Sequence, residues 1–342
     1  MREETRKGRI FWIFVLALLL LIPICSLIAL CLGPFRIAPL RVIEEFLSSQ
    51  KAGSAQDNVR RVLFYIRLPR ILMSLVAGAG LATAGAAFQS LFGNPLATPD
   101  TLGVANGASF GAAGGILLGL GGMGVEISAL CMGLFAVLLV FTLSKRMSTG
   151  SPSILQVILT GMVISSLFSA LVSLVKYAAN PQDVLPVITF WLMGSFSGVT
   201  VQSLIFGAPF ILCGTLLLFL LRFRLNALSL PEDEARSLGI PLQTTRMLVI
   251  LGSTMSTAAV VALCGLIGWV GLLIPHIARM IFGNDNRRVI PASILLGALF
   301  MLLVDTIARC MTAAEIPVSI LTATIGAPVF ILLLQKTGGL NG

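Results

Sequence analysis

The side chains that could perform chemistry are few and scattered along this sequence of 342 residues. His276, in GLLIPHIARM, is the single histidine and has no cysteine or carboxylate beside it, which favours a structural histidine over a metal ligand. The six cysteines lie mostly within apolar runs, and no pair has metal-ligand spacing. The sequence contains no G-x-x-x-x-G-K-[ST], no nucleophile elbow and no H-E-x-x-H. These observations argue against an enzyme, a metal site and a P-loop nucleotide site within the chain.

One polar stretch interrupts the apolar second half of the chain. It is the coupling segment, residues 225–241, with the sequence LNALSLPEDEARSLGIP and three consecutive acids at 232–234. Ser229 can cap a short helix, Pro231 suits its first position, and the acids lie where the helix dipole favours negative charge. Gly239 is expected to end the helix. A short capped helix between two apolar runs indicates a segment held by a partner outside the membrane. The alternative is a solvated loop.

The composition is that of a membrane protein. Hydrophobic residues make up 57% and charged residues 11% of the chain, and the mean hydropathy is +1.00. Soluble domains usually carry about 25% charged residues. The apolar runs reach about 20 residues rather than the ~10 of barrel strands, so we predict an all-α integral membrane protein. The net charge of +9 indicates loops that meet anionic lipid rather than a nucleic-acid partner.

Ten apolar runs predict about ten transmembrane helices. The predicted spans are 10–32, 70–92, 101–121, 125–144, 153–178, 201–222, 242–265, 268–282, 289–309 and 318–335. The first run is too long for a signal-peptide core and no A-x-A site follows it, so it predicts a retained span. An even number of spans places both termini on one side, and the basic N-terminus places that side in the cytoplasm.

The positive-inside rule fits the inward loops, whose basic residues include Arg222, Arg279 and Arg287, but not the first outward loop. That loop contains Arg36, Arg41, Lys51, Arg60, Arg61 and Arg67. The Leu68–Pro69 step predicts an extended residue followed by the first turn of the second span, which places Arg67 and Arg70 at the outer rim. Arg309 ends the ninth span at the same level and can pair with Asp305 four residues earlier. Snorkelling of these arginines to lipid phosphates is the alternative.

The second span combines small residues with a helix breaker. Small residues fill it between Gly78 and Ala87, which favours close packing of helix backbones or a wide polar path. It ends at Gly93-Asn94-Pro95, which predicts either a gate at the cytoplasmic end or an ordinary turn. A second breaker, residues 283–286, follows the eighth span, and the two breakers hint at two inverted halves.

Several stretches resemble the permease subunits of type II ATP-binding-cassette (ABC) importers for iron–siderophores, haem and cobalamin. The matching stretches are Arg67–Gly103, Trp191–Ser195, Leu225–Ile240, Gly265–Arg309 and Glu315–Leu334. They occur in the family's order and, with the number of spans, cover nearly the whole chain. Pro231 stands where the family usually has glycine, and the family's other gate region, around Ser153 to Leu155, departs from the pattern.

The resemblance implies one permease domain, residues 1–342, in a bacterial plasma (inner) membrane. It further implies a homodimer with the path between its subunits, two cytoplasmic ATPase subunits and an extracytoplasmic binding protein. ATP and Mg would be used by the ATPase subunits, and no cofactor is expected in this chain. The cargo stays open among siderophore-bound iron, haem, cobalamin and metal oxyanions.

The resemblance also assigns roles to individual residues. The ATPase-coupling residues would be Leu228, Glu232, Asp233, Glu234, Ala235, Arg236, Leu238 and Gly239. The inner gate would be the gate turn, Asn94, Pro95 and Leu96. The residues that meet acidic groups of the binding protein would be the arginine cluster, Arg67, Arg70 and Arg309.

Two other classes of function remain as alternatives. An ion-coupled secondary transporter usually needs carboxylates at the membrane midplane, and Asp305 alone is weak support for such a coupling site. A membrane-embedded scaffold would form a closed, impermeable dimer. An importer permease of the same fold that carries a metal oxyanion is the alternative within the family.

Overall fold

The computed structural model describes residues 2–47, 57–146, 153–228, 230, 232–237, 239–312 and 314–336, and all regular structure within these ranges is helical. The α-helices are α1 (Arg2–Cys31), α2 (Pro39–Leu47), α3 (Asp57–Arg61), α4 (Leu68–Phe92), α5 (Val104–Leu117), α6 (Gly122–Arg146), α7 (Ile154–Ala178), α8 (Val184–Leu192), α9 (Val201–Leu228), α10 (Glu232–Ser237), α11 (Leu242–Cys264), α12 (Val270–Phe282), α13 (Asn286–Cys310) and α14 (Val318–Lys336). A π-helix, Val62–Arg67, joins α3 to α4, and a 3-10 helix, Pro99–Leu102, precedes α5.

Each predicted span coincides with one of these helices. Within the described residues, seven helices are long and apolar enough to cross a membrane, namely α1, α4, α6, α7, α9, α11 and α13. The helices α12 and α14 are shorter apolar helices, and α5 has 14 residues, about 21 Å of helix against a hydrocarbon core of about 30 Å. The predicted all-α, multi-pass membrane architecture is confirmed.

Helix α4 is the central helix of the bundle, because its small residues allow neighbouring backbones to approach. It packs against α9, α11, α12 and α13. A Cβ atom added at Gly78 would lie 2.1 Å from Gly297 O, and one added at Gly85 would lie 1.9 Å from Gly271 O. The small residues therefore serve close helix packing.

The start of α4 differs from the prediction. Leu68 is right-handed helical, with φ −61° and ψ −49°, so the predicted extended conformation before Pro69 is wrong. The reason is the π-helical turn before it, in which Leu68 N donates to Leu63 O, five residues back. Such a turn accommodates a proline, which has no N–H to donate, without ending the helix. The second span is thereby continuous with residues 58–67.

Contacts between helices define two ends of the bundle. The gate end contains the gate turn after α4, the end of α9 with the helix α10 that follows it, and the start of α13. The arginine end contains the start of α4 and the end of α13. Phe11 of α1 packs against Phe282 at the end of α12, with ring centroids 5.3 Å apart, so the N-terminal part of α1 lies at the gate end.

Candidate functional site

The coupling segment contains the short helix that its sequence predicts. Helix α10 spans Glu232–Ser237, and Ser237 Oγ donates to Glu234 O at 2.7 Å. Ala235 is buried, whereas the side chain of Glu234 is exposed. Gly239 follows with a φ of +70°, a left-handed conformation that suits the end of a helix.

Part of this segment lies outside the described residues, so its capping stays a prediction. These positions are Ser229, Pro231 and Leu238, together with the side chains of Glu232, Asp233 and Arg236. Leu228, the last residue of α9, is half-buried and packs against the main apolar core. The described part thus presents one acid to solvent and one alanine to the protein.

The gate turn closes the end of α4 with local hydrogen bonds. Gly93 adopts a φ of +58° and caps the helix, and its N–H donates to Gln89 O. Asn94 Oδ1 accepts from Leu96 N at 2.9 Å, a turn stabilised by the asparagine side chain itself. Leu96 is 48% exposed at the tip of this turn. The turn therefore holds an apolar side chain outward at the end of a deeply buried helix.

A polar group directly behind the gate turn was missed by sequence reasoning. Arg279 of α12 points its guanidinium at the last turn of α4. Its Nη2 donates to Ser90 Oγ at 2.8 Å and to Ala86 O at 3.1 Å, and its Nε lies 3.4 Å from Gln89 Oε1. The sequence presented Arg279 only as an inward-loop charge, although an arginine within an apolar helix needs a polar partner.

Arg70 organises the arginine end. Its Nε lies 2.9 Å from Asp305 Oδ1 and its Nη2 lies 2.8 Å from the same oxygen, while its Nη1 lies 2.8 Å from both oxygens of Glu315. Arg70 and Asp305 are buried, and the Glu315 side chain is 32% exposed. The direct partner of Asp305 is therefore Arg70 on another helix, rather than Arg309 on its own helix as the spacing suggested.

The other two arginines hold the end of α1. Arg67 donates from Nη1 to Leu30 O and from Nη2 to Phe35 O, and Arg309 donates to Ala29 O. Backbone carbonyls at the C-terminal end of a helix have no partner within the helix and attract cations.

All three arginines of the cluster are consequently buried, with exposed fractions of 3–5%. In this conformation the acids and carbonyls of the chain itself surround the three guanidinium groups. The predicted docking role of the arginine cluster at the outer rim stays a prediction.

A cavity of about 670 Å³ lies beside the arginine end. Its lining includes Glu126, Trp191, Ser195, Cys264, Glu315 and Pro317. Ser203 Oγ donates to Glu126 Oε1 at 2.6 Å, and Glu315 is the acid that Arg70 holds. The volume is within the range of small-molecule sites, about 300–1,000 Å³.

Non-helical backbone borders this cavity. Ser195 N donates to Cys264 O at 2.8 Å and Val318 N donates to Gly194 O at 2.9 Å, which joins three chain segments between helices. Trp269 nearby has a φ of +71°, the one positive φ of a residue other than glycine in the described ranges. Irregular backbone at membrane depth is tolerated where protein or a water-filled space satisfies it, and at this junction the two backbone hydrogen bonds between segments do so.

His276 has a packing role. Its ring lies edge-on to Phe330, with centroids 5.4 Å apart. Among the residues that the structure describes, no group of three or more histidine, cysteine, aspartate or glutamate side chains could hold a metal ion.

Comparison with protein families decides the assignment. The model of the FecCD transport family matches residues 19–336. The chain belongs to the FecCD transport family. FecCD proteins are the permease subunits of ABC transporters, which pair with ATPase and substrate-binding partners, and the resemblance seen in the motifs is thereby confirmed.

Relatives within the FecCD family are named for different cargoes. The chain is 43% identical over 327 residues to the molybdate import system permease protein MolB of Haemophilus influenzae, covering 95% of this chain and 96% of that protein. It is 38% identical to the vitamin B12 import system permease protein BtuC of Klebsiella pneumoniae, covering 98% and 96%. It is 34% identical to a probable iron chelatin transport system permease protein of Helicobacter pylori, covering 88% and 89%.

A solved structure gives the same family fold. A transporter assigned to the metal-chelate type, in an inward-facing conformation, superposes with a TM-score of 0.85 at 41% identity and covers 94% of this chain and 98% of that one. PsaBC from Streptococcus pneumoniae, in complex with Fab, matches with a TM-score of 0.54 at 19% identity, a likeness of fold alone.

Proposed function

We propose that this FecCD permease forms the membrane path of an ATP-driven importer for a metal chelate of the iron–siderophore, haem or cobalamin type. The observation that carries the proposal is the 41% identity, over nearly the full length of both chains, to a transporter assigned to the metal-chelate type. The relatives named for vitamin B12 and iron chelatin support the same cargo class. The chain performs no covalent chemistry, and its helices alternate between outward and inward openings.

A metal oxyanion is the second candidate cargo, favoured by the 43% identical relative named for molybdate. ATP hydrolysis by the complex reconstituted with its ATPase subunits and binding protein distinguishes the two. We expect ferric siderophore, haem or cobalamin to stimulate hydrolysis. Stimulation by molybdate alone would transfer the proposal to the oxyanion class, and stimulation by neither group would contradict a metal-containing cargo.

The partners follow from the same assignment. A second copy of the chain completes the path, two cytoplasmic ATPase subunits use ATP and Mg, and an extracytoplasmic binding protein delivers the cargo. The gate end then faces the cytoplasm of a bacterial cell and the arginine end faces outward. The position of α1, whose N-terminal part packs at the gate end beside Phe282, supports a cytoplasmic N-terminus, and an even number of spans puts the C-terminus there too.

The coupling segment is proposed to dock the ATPase. Replacing Glu232 and Glu234 with lysine is expected to weaken ATPase association about tenfold, because reversed charges at an interface oppose the partner's field. Membrane insertion should be unchanged, since α10 lies outside the spans. Co-purification of the ATPase measures the effect, with Glu44→Lys, an exposed acid on α2 at the far end, as the matched control. Equal co-purification of both variants would contradict docking at α10.

The gate turn is proposed to form the inner gate with its copy in the second subunit. The exposed Leu96 and the helix end behind it support this placement. An Asn94→Cys variant is expected to cross-link to its dimer mate in one nucleotide state and much less in another. Leu118→Cys, exposed at the opposite end of α5, is the control. Identical yields at position 94 in every nucleotide state would rule out gating there.

The arginine cluster is proposed to receive the acidic groups of the binding protein. Its burial adds a condition, because a partner carboxylate has to compete with Glu315, the more exposed of the two acids on Arg70. Glu315→Gln is therefore expected to raise the affinity for the binding protein several-fold at low salt and to steepen its salt dependence. The control is Glu126→Gln. Glu126 lines the same cavity as Glu315, but its hydrogen-bond partner is Ser203 rather than an arginine of the cluster. An affinity unaffected by Glu315→Gln would argue against docking on Arg70.

A further inference from the structure

Asn226 connects the coupling segment to the start of α13. It lies on α9 two residues before that helix ends at Leu228, and α10 follows directly in the chain. Its Nδ2 donates to Asp285 Oδ1 at 2.7 Å, and its Oδ1 accepts from Asn286 N at 2.8 Å. One side chain thus fixes the end of α9 to two consecutive residues of another helix.

From Asn286 the contacts continue to the end of α4. Ser90 Oγ donates to Asn286 Oδ1 at 2.8 Å, and Arg279 Nη2 donates to the same hydroxyl at 2.8 Å and lies 3.4 Å from Asn286 Oδ1. Ser90 is three residues before Gly93, where α4 ends and the gate turn begins. A series of hydrogen bonds, one of them to the backbone N–H of Asn286, therefore joins the end of α9 in the coupling segment to the last turn of α4, directly before the gate turn. We name it the polar linkage: Asn226, Asp285, Asn286, Arg279 and Ser90.

The polar linkage is buried at its α4 and α13 members and half-buried at the others. Ser90 and Asn286 have exposed fractions of 3% and 1%, whereas the Asp285 side chain is 35% exposed. Buried polar groups constrain geometry strongly, because each bond that is lost leaves a group without solvent to replace it. The bonds of Ser90 and Asn286 are therefore the ones that fix α4 to α13 most firmly.

One donor of the polar linkage is unused. Asn286 Nδ2 has no hydrogen-bond partner among the described residues, although the residue is buried. Buried donors of this kind are normally bonded to protein or to ordered water, so Asn286 has bonding capacity that the polar linkage does not use.

We propose that the polar linkage transmits movement of the coupling segment to the gate turn, with Arg279 and Asn226 as its positioning residues. The inference rests on the proposed function, since it uses the coupling segment as the input and the gate turn as the output. When the ATPase moves α10, the end of α9 moves with it, Asn226 displaces the start of α13, and Asn286 with Arg279 reorients the last turn of α4.

A purely structural role for these residues would affect folding but not the response of the gate to nucleotide. The test therefore measures cross-linking at Asn94→Cys in the full complex with its ATPase subunits, with and without Mg-ATP. Exposed Cys131, Cys213 and Cys310 are replaced by serine in the parent. Asn226→Ala removes one arm of the linkage, and Arg279→Lys keeps the charge but loses the forked donor geometry. Arg224→Lys, exposed two residues from Asn226, is the matched control.

The expected result is a nucleotide-dependent change in cross-linking that falls about tenfold in both linkage variants and persists in the control, when complexes with equal amounts of bound ATPase are compared. A parent that shows no nucleotide-dependent change would overturn the gate assignment itself. A responsive parent with equally responsive linkage variants would overturn the polar linkage and leave the gate assignment standing. If Arg279→Lys does not assemble, Asn226→Ala decides, because it deletes only a half-buried amide at a helix end.

Discussion

Replacing Asp305 with alanine is expected to lower the free energy of unfolding by about 3–5 kcal/mol, because the buried Arg70 guanidinium loses its most buried partner. Glu315 stays in contact with Arg70 but is partly exposed, and a partly exposed carboxylate compensates a buried charge only in part. The loss should be visible as a lower melting temperature of the purified subunit in detergent and as reduced resistance to denaturing detergent.

The matched variant removes both charges. Arg70→Met combined with Asp305→Leu fills the same space with apolar side chains and is expected to recover most of the lost stability, since the charge that then loses its partner, Glu315, is partly exposed to solvent. A single variant as stable as the parent, or a double variant less stable than Asp305→Ala alone, would contradict a buried ion pair at this position.

The second large effect is expected at the close contact between α4 and α12. A Gly85→Ala variant would place its Cβ 1.9 Å from Gly271 O, where backbone rather than a movable side chain is in the way. Overpacking of this kind usually costs about 1–3 kcal/mol and more where the backbone has to shift, so we expect poor assembly and a much lower melting temperature.

Gly114→Ala provides the control for Gly85→Ala. Gly114 lies within α5, and a Cβ there meets no atom within 4 Å. Alanine in a helix interior is about 0.5–1 kcal/mol more favourable than glycine, so this variant should be as stable as the parent or slightly more stable. Equal melting temperatures for the two variants would contradict the tight packing of α4.

The helical bundle was predictable because hydrophobicity and length alone identify apolar helices. The small residues of α4 also indicated close packing, which Gly78 and Gly85 confirm. The start of α4 was not predictable, since the rule for a residue before proline favours an extended Leu68 and a π-helical turn overrides it. Helices α2 and α8, nine residues each, were missed because they are too short for an apolar-run criterion.

The site was predictable where local sequence determines local structure. The breaker after Phe92 gives the turn at Gly93, and Gly239 adopts the conformation expected at a helix end. The burial of the arginine cluster was not predictable, because the acids that hold Arg70 are 235 and 245 residues away in the chain. Arg67 and Arg309 donate to backbone carbonyls, which every residue has, so the types of side chain in the sequence do not reveal these acceptors. Long-range partners of this kind become visible only when the helices are packed.

ATP hydrolysis by separate subunits is proposed to drive transport through this FecCD permease. The most direct test is cargo uptake into proteoliposomes that contain the permease and its ATPase subunits, with the binding protein outside and ATP inside. We predict uptake that requires ATP and the ATPase subunits, and that is lost when Glu232 and Glu234 are replaced by lysine. Uptake by the permease alone, driven by a proton or sodium gradient without ATP, would contradict the account.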